Sequence, residues 1–366
     1  MACPVADCGK PSTPTAGSMA SNVARSPVNG ADSFRNDLPP NIACRFGILA
    51  RANGLMVGSF LPRPTPSRKR NRTRIRQDYN RRIPMIDLKK LNAYRTRTFN
   101  LPPSKRLTSP AQALTFVNAR GFIYFWPIKG IDLPNLWTAV AGDRPVADAH
   151  DDPGHITWRW KDNALDKRIW YYAKVLRRKA TIISLDVAPY FYALSENYGS
   201  PEEDYLLAYE EGRLSQAAKQ VYEALLKEGA LNTLDLRRVA KLTNAKESEF
   251  NKALEFLQAD FKILPVGVAE VGAWKYAFIY EIVPRQFPEL PEQARKIGEG
   301  EARMKLAELY FRSVGAAQER DVGKLFGWKR ELVARTISGL IAKRKLIESE
   351  HSEQKGKWLV LPDLIR

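Results

Sequence analysis

Residues 215–361 carry one local plan twice, and a duplicated plan restricts the fold of a chain far more than any single motif does. The earlier copy begins with Gln216 to Leu226, where apolar residues recur at helical spacing. It passes Gly229-Ala230, continues through Leu234 to Leu242 and Phe250 to Phe261, and ends in the apolar stretch Ile263 to Val266. The later copy runs from Ala302 to Phe311, through Gly315-Ala316, Asp321 to Phe326 and Glu331 to Ile341, into Leu346-Ile347. Superposing the two Gly-Ala pairs aligns three helix-length segments and a following strand, the order of a winged helix-turn-helix module. The expected fold class is therefore α+β and helix-rich, with tandem winged helix-turn-helix modules at residues 213–285 and 296–366.

The spacing predicts the elements of each module. The earlier one has helices over 215–227, 234–242 and 247–259 and a wing pairing 262–268 with 274–282, the second of these a β-prone aromatic run. The later one has helices over 301–312, 320–326 and 329–344 and a wing pairing 346–350 with 358–361, with Gly356 near the turn. Upstream, residues 85–212 form an α/β region with a Trp-rich segment. A helix over 107–120 opens at Thr108 or Ser109 with Pro110 in its first turn. Gly121 to Pro127 fits a buried strand, residues 131–162 are turn-rich and acidic, Lys161 to Arg178 reads as a helix, Thr181 to Leu185 as a short strand, and Pro201 to Gly212 as a short helix.

The formal charge of +18 is concentrated at the front. Residues 1–106 hold 20 Lys and Arg against 5 Asp and Glu, whereas residues 107–366 hold 38 against 35, so net charge says little about what the folded part binds. Residues 1–84 lack periodicity, are rich in Pro, Ser, Asn and Arg, and end in the basic run Ser67 to Arg76; they read as a disordered basic segment. Three readings of it stay open: a nucleic-acid-binding arm, an Arg-rich transit peptide, or a stretch upstream of a true start at Met85. The three cysteines, Cys3, Cys8 and Cys44, form neither a disulfide framework nor a zinc spacing, and no apolar run spans a membrane. The expectation is a soluble cytoplasmic protein with no metal and no cofactor.

A helix that docks in a DNA groove presents cations or amides outward. The third helix of the earlier module, with Glu247, Glu249, Glu255 and Asp260 against Lys252, fails that requirement. The later module meets it through Lys329, Arg330, Arg335, Lys343, Arg344 and Lys345 against Glu331, with Trp328 at the helix entrance. A second basic stretch holds Arg159, Lys161, Lys167, Arg168, Lys174, Arg177, Arg178 and Lys179, interleaved with Trp158, Trp160, Trp170, Tyr171 and Tyr172. Cations for a backbone and rings for stacking compose a site for unpaired or distorted nucleic acid, and the same rings serve equally as core. The candidate nucleic-acid-binding residues are Lys329, Arg330, Arg335, Lys343, Arg344, Arg168, Lys174, Arg177, Arg178, Lys179, Trp158 and Trp160.

Phosphate loops, zinc spacings and nucleophile elbows are absent from the sequence. Asp143, Asp148, His150, Asp151, Asp152 and His155 cluster among Pro and Gly, where carboxylate and imidazole either transfer protons or cap turns. Asp143, His150, Asp152 and His155 are the candidates for catalysis.

Gly121-Phe-Ile-Tyr-Phe-Trp-Pro127 and Leu136-Trp-Thr-Ala-Val-Ala-Gly-Asp-Arg-Pro145, followed by the two modules, resemble a divergent branch of the AlkZ-like (YcaQ-type) winged-helix DNA glycosylases of bacteria over residues 107–361. The resemblance implies a concave double-stranded DNA-binding surface and excision of alkylated bases or unhooking of crosslinks. It also implies a Gln-x-Gln or Gln-x-Asp pair after the first helix. Phe122-Ile-Tyr124 stands there instead, and Gln112 lies too early, so no catalytic residue carries over. Two functions stay open: a DNA-repair protein recognising damaged or distorted DNA, as glycosylase or binder, and a non-enzymatic winged-helix regulator or scaffold.

Overall fold

The computed structural model describes residues 83–149 and 151–365. The basic leading segment with its three cysteines, and His150, lie outside the described residues. Among the described residues the α-helices are α1 Leu88–Thr98, α2 Pro110–Arg120, α3 Leu136–Ala141, α4 Ile156–Asp162, α5 Ala188–Tyr192, α6 Asp204–Glu210, α7 Gln216–Glu228, α8 Thr233–Val239, α9 Glu247–Ala259, α10 Val283–Gln286, α11 Leu290–Arg295, α12 Glu299–Val314, α13 Glu319–Phe326 and α14 Arg330–Ala342. The strands are β1 Phe122–Tyr124, β2 Tyr171–Ala173, β3 Thr181–Ile183, β4 Leu231–Asn232, β5 Ile263–Ala269, β6 Ala277–Ile282, β7 Ala316–Ala317, β8 Ile347–Ser349 and β9 Trp358–Val360. Among the described residues no helix is long and apolar enough to cross a membrane.

The two Gly-Ala pairs mark the ends of α7 and α12, where Gly229 and Gly315 take φ of 82° and 77° and return their N–H groups to Leu225 and Phe311. That left-handed turn is open to glycine at little cost. A third copy lies upstream. Gly121, at φ 84°, ends α2 and returns its N–H to Val117 before β1 begins. From there the order helix, strand, helix, helix, strand, strand is the same in all three segments, and so is the sheet order: β1-β3-β2, β4-β6-β5 and β7-β9-β8, all antiparallel. The described fold thus contains three tandem winged units where the sequence shows two. The first is hidden because α3 and α4 have six and seven residues, too few for a helical period to emerge, and a long acidic loop separates them.

The helix expected over 161–178 is not formed. Helix α4 ends at Asp162, and Tyr171–Ala173 are a strand. Tyr171 and Ala173 pack in one core cluster while Trp170 and Tyr172 pack in another, an alternation of period two with both faces buried. A strand covered on both sides is apolar at every position, so its period cannot be seen in the sequence. One face of this sheet carries the first unit's own helices, through Phe116, Val117, Leu136 and Trp160. The other face meets Phe261 of the second unit and Leu306, Leu309, Val322 and Leu325 of the third. Phe122 lies edge-on to Phe326 at 5.8 Å, and Tyr171 stacks on Phe261 at 4.5 Å. Residues 84–98 join the third unit: Ile86 and Leu91 pack with Trp358 and Val360, and Arg95 donates to the carbonyls of Val314 and Ala316.

Candidate nucleic-acid interface

Each unit supplies a third helix, and neighbouring wings hold two of the three: α4 is largely covered, and α9 is held along its C-terminal half while Glu247 to Glu249, Asn251 and Lys252 stay exposed. On α4, Lys161 has no exposed surface. Its Nζ lies 2.6 Å from Asp162 Oδ1 and donates to Tyr276 Oη at 2.9 Å, and that hydroxyl donates to Asp162 at 2.9 Å. The rings of Trp158 and Phe278 lie 4.5 Å from the ammonium, and Phe125, Tyr172 and Tyr276 complete a cage. Tyr276 and Phe278 belong to the second unit's wing. Desolvation of an ammonium is tolerable here because a carboxylate, a hydroxyl and ring faces replace its water.

The contact is reciprocal. From the first unit's wing, Lys174 pairs with Glu255 at 2.9 Å, its backbone N–H donates to Gln258 at 3.1 Å, and Arg178 lies over the Phe256 ring. All three partners are on α9. The acidic character that disqualifies α9 as a phosphate-binding helix is in part docking chemistry, since Glu255 neutralises a cation of its neighbour.

On α14, Val333, Thr336, Ile337 and Leu340 pack inward. Lys329, Arg330, Arg335, Lys343 and Arg344 are exposed to solvent in whole or part, and among the described residues none has an acidic partner, whereas Lys345 pairs with Glu308. Trp328 stacks on Phe326 at 4.3 Å and braces the turn into the helix. The remaining basic candidates occupy turns: Arg168 has φ 49°, and Arg177 and Arg178 have φ 55°. Arg168, Arg177, Arg178 and Lys179 all reach solvent. Trp160 is 5% exposed and belongs to the core, and Trp158 is packed against Phe125, Trp126 and Tyr276, so these rings are not laid out as a stacking platform.

The acidic loop is tied to its own backbone. Asp152 accepts from the Gly154 N–H at 2.7 Å and from Arg144 at 2.6 Å, and the Arg144 hydrogen bond holds its carboxyl below the usual carboxylate range. His155 contacts the Ala147 carbonyl at 2.9 Å and lies edge-on to Trp137. Asp143 is exposed, at the end of α3, and His150 lies outside the described residues. Where a Gln-x-Gln pair would stand, Phe122, Ile123 and Tyr124 are buried in β1. Among the described residues no group of three His, Cys, Asp or Glu could hold a metal ion.

A model of the AlkZ-related family matches residues 107–327, more than half of the chain. The chain belongs to that family. The match takes in the first two units and the first two helices of the third, so α14 lies beyond it. Among solved structures the Streptomyces sahachiroi DNA glycosylase AlkZ is similar, with 13% identity and a TM-score of 0.49 over 76% of this chain and 71% of that one. None of the curated proteins matches.

The Lys161–Asp162–Tyr276 cluster is invisible in the sequence, because Tyr276 stands 114 residues or more from its partners, in another unit. Trp274, expected in a strand, stands instead in the turn before β6, 71% exposed, between Gly272 and Lys275, both of which take positive φ.

Proposed function

We propose that this AlkZ-related protein binds double-stranded DNA in the context of DNA repair, and that α14 is the helix that docks on the duplex. One observation carries the reading: of the three third helices only α14 has a cationic exposed face, since the exposed residues of α9 include Glu247 and Glu249 against Lys252, whereas α14 and its ends hold five exposed cations that pair with no carboxylate among the described residues. Accessible, unpaired cations on one helix suit phosphates, whose condensed counterions they displace.

The test uses the full chain and a fluorescent duplex, titrated across roughly 50 to 200 mM salt. Replacing Lys329, Arg330 and Arg335 with Ala lowers affinity, and the slope of log K against log salt falls by about 2 to 3, close to one for each phosphate no longer neutralised. Unchanged affinity and slope in this variant overturn the choice of α14.

Recognition of damaged or distorted sites is the finer part of the reading, and it divides into binding and excision. The local tethering of Asp152 and His155 favours a binder in which neither residue removes a base. Incubated with alkylated duplex, the full chain retains and shifts the DNA without leaving abasic sites. Abasic product that disappears in an Asp152→Asn variant would restore the loop as the chemical centre.

A further inference from the structure

A winged unit ordinarily grips DNA with its helix in the major groove and its wing on the neighbouring backbone. The third unit's own wing is poorly suited to that. Its strands and turn carry Glu348, Glu350 and Glu353 against Lys355 and Lys357, and Lys357 is already paired with Glu348 at 2.6 Å. Its outer edge is taken by the chain itself, since the N–H of Glu350 donates to the Pro84 carbonyl, the Ile86 N–H donates to the Glu350 carbonyl, and Ser349 Oγ also donates to Pro84.

We infer that the wing serving α14 is borrowed: the β2–β3 turn of the first unit, through Arg177, Arg178 and Lys179, binds DNA phosphates beside those held by Lys329 and Arg330. This inference rests on the reading of α14 as the docking helix and extends it to a second unit.

Three features place the borrowed wing. The turn Leu176–Arg178 lies between α9 and α13, touching both, and α13 is the helix that leads into α14. Leu176 shares a core cluster with Val322 and Leu325, so the base of the cationic turn packs on the side of α13. Lys174 of this wing is drawn into the ion pair with Glu255, while Arg177 and Lys179 reach solvent, Arg178 reaches it over the Phe256 ring, and among the described residues none of these three has an acidic partner.

The turn is also conformationally set. Arg177 and Arg178 both lie in the left-handed region at φ 55°, which costs an L-residue about 1 to 2 kcal/mol. The surroundings hold it: Thr181 Oγ1 accepts from the Leu176 N–H at 3.2 Å and donates to the Lys179 carbonyl at 2.8 Å, and the Tyr124 hydroxyl donates to the Leu176 carbonyl at 3.4 Å. Glycine would relieve this backbone, yet two arginines stand here, which suits side chains that act on something outside the fold.

The test compares the parent with an Arg177→Gly, Arg178→Gly, Lys179→Ala variant of the full chain, using the same duplex and salt series. Glycine keeps the turn and removes the charge, so the variant is expected to melt at or above the parent temperature while binding about tenfold more weakly, with the salt slope reduced by about 2 to 3. Hydroxyl-radical footprints of the variant are expected to lose protection on one side only of the patch protected by α14. A Glu348→Gln, Glu350→Gln variant of the third unit's own wing keeps the parent footprint. If the α14 variant binds weakly while the β2–β3 variant matches the parent in affinity, slope and footprint, the borrowed wing is refuted and α14 stands. If neither variant differs from the parent, the reading of α14 falls first and the borrowed wing with it.

Discussion

Two glycines show how far single residues govern this fold. Gly315 combines φ 77° with a crowded site, since a Cβ there would sit 2.8 Å from both Leu91 and Leu364. Gly315→Ala is expected to destabilise the protein by about 1 to 3 kcal/mol through backbone strain and overpacking, seen as a drop of several degrees in melting temperature. Gly300, inside α12, has open space around its Cα, so Gly300→Ala is expected to raise stability by about 0.5 to 1 kcal/mol. Differential scanning calorimetry of the two variants checks the opposite signs; a shift of the same sign in both would contradict the packing described for the α12 end. Gly121 is built like Gly315, with φ 84° and a would-be Cβ 2.9 Å from Leu309, and it too joins a first helix to a first strand.

Among the elements, α4 and α9 show a helix-turn-helix architecture turned to internal use. Held by the second unit's wing, α4 cannot enter a groove without separating the two units, and that clamp contains a buried charge, whereas α9 is held only along its C-terminal half. Asp162→Ala takes the Asp162 carboxylate away from the buried Lys161 ammonium, expected to cost about 3 to 5 kcal/mol in urea denaturation. Lys161→Met fills the cage with an apolar chain of similar length and removes the desolvated charge, so it is expected to cost much less. The reverse order would mean that the cage does not hold a charged amine. Helix α14 differs in that its inner face packs on α12 while Lys329, Arg330, Arg335, Lys343 and Arg344 stay exposed.

For the whole molecule, the three units are not beads on a string. Their cores merge, with Phe122, Tyr171, Phe261, Leu309 and Leu325 in one cluster drawn from all three. Such a body presents a fixed arrangement of wings and helices to a ligand, and removal of one unit would expose both the first sheet and the α12 face. Merged cores place the exposed cations of α14 and those of the β2–β3 turn on one body, which is why both are given to a single ligand.

By itself the sequence determined the elements with strong local signals. Helix α9 is delimited at 247–259 by its apolar period, helix α2 by Ser109 and Pro110, and the paired wings by β-prone runs flanking turns, each set by interactions within a few residues. It also shows that α9 is acidic and α14 basic, because charge is written residue by residue. Only the tertiary structure decided what those faces touch. Glu255 meets Lys174 from 81 residues away, and Tyr276 meets Asp162 from 114, contacts that no local pattern encodes. The first unit stays hidden for the same reason: its sheet is covered on one side by its own helices and on the other by the neighbouring units, so burial erases the alternation that would mark Trp170 to Ala173 as a strand.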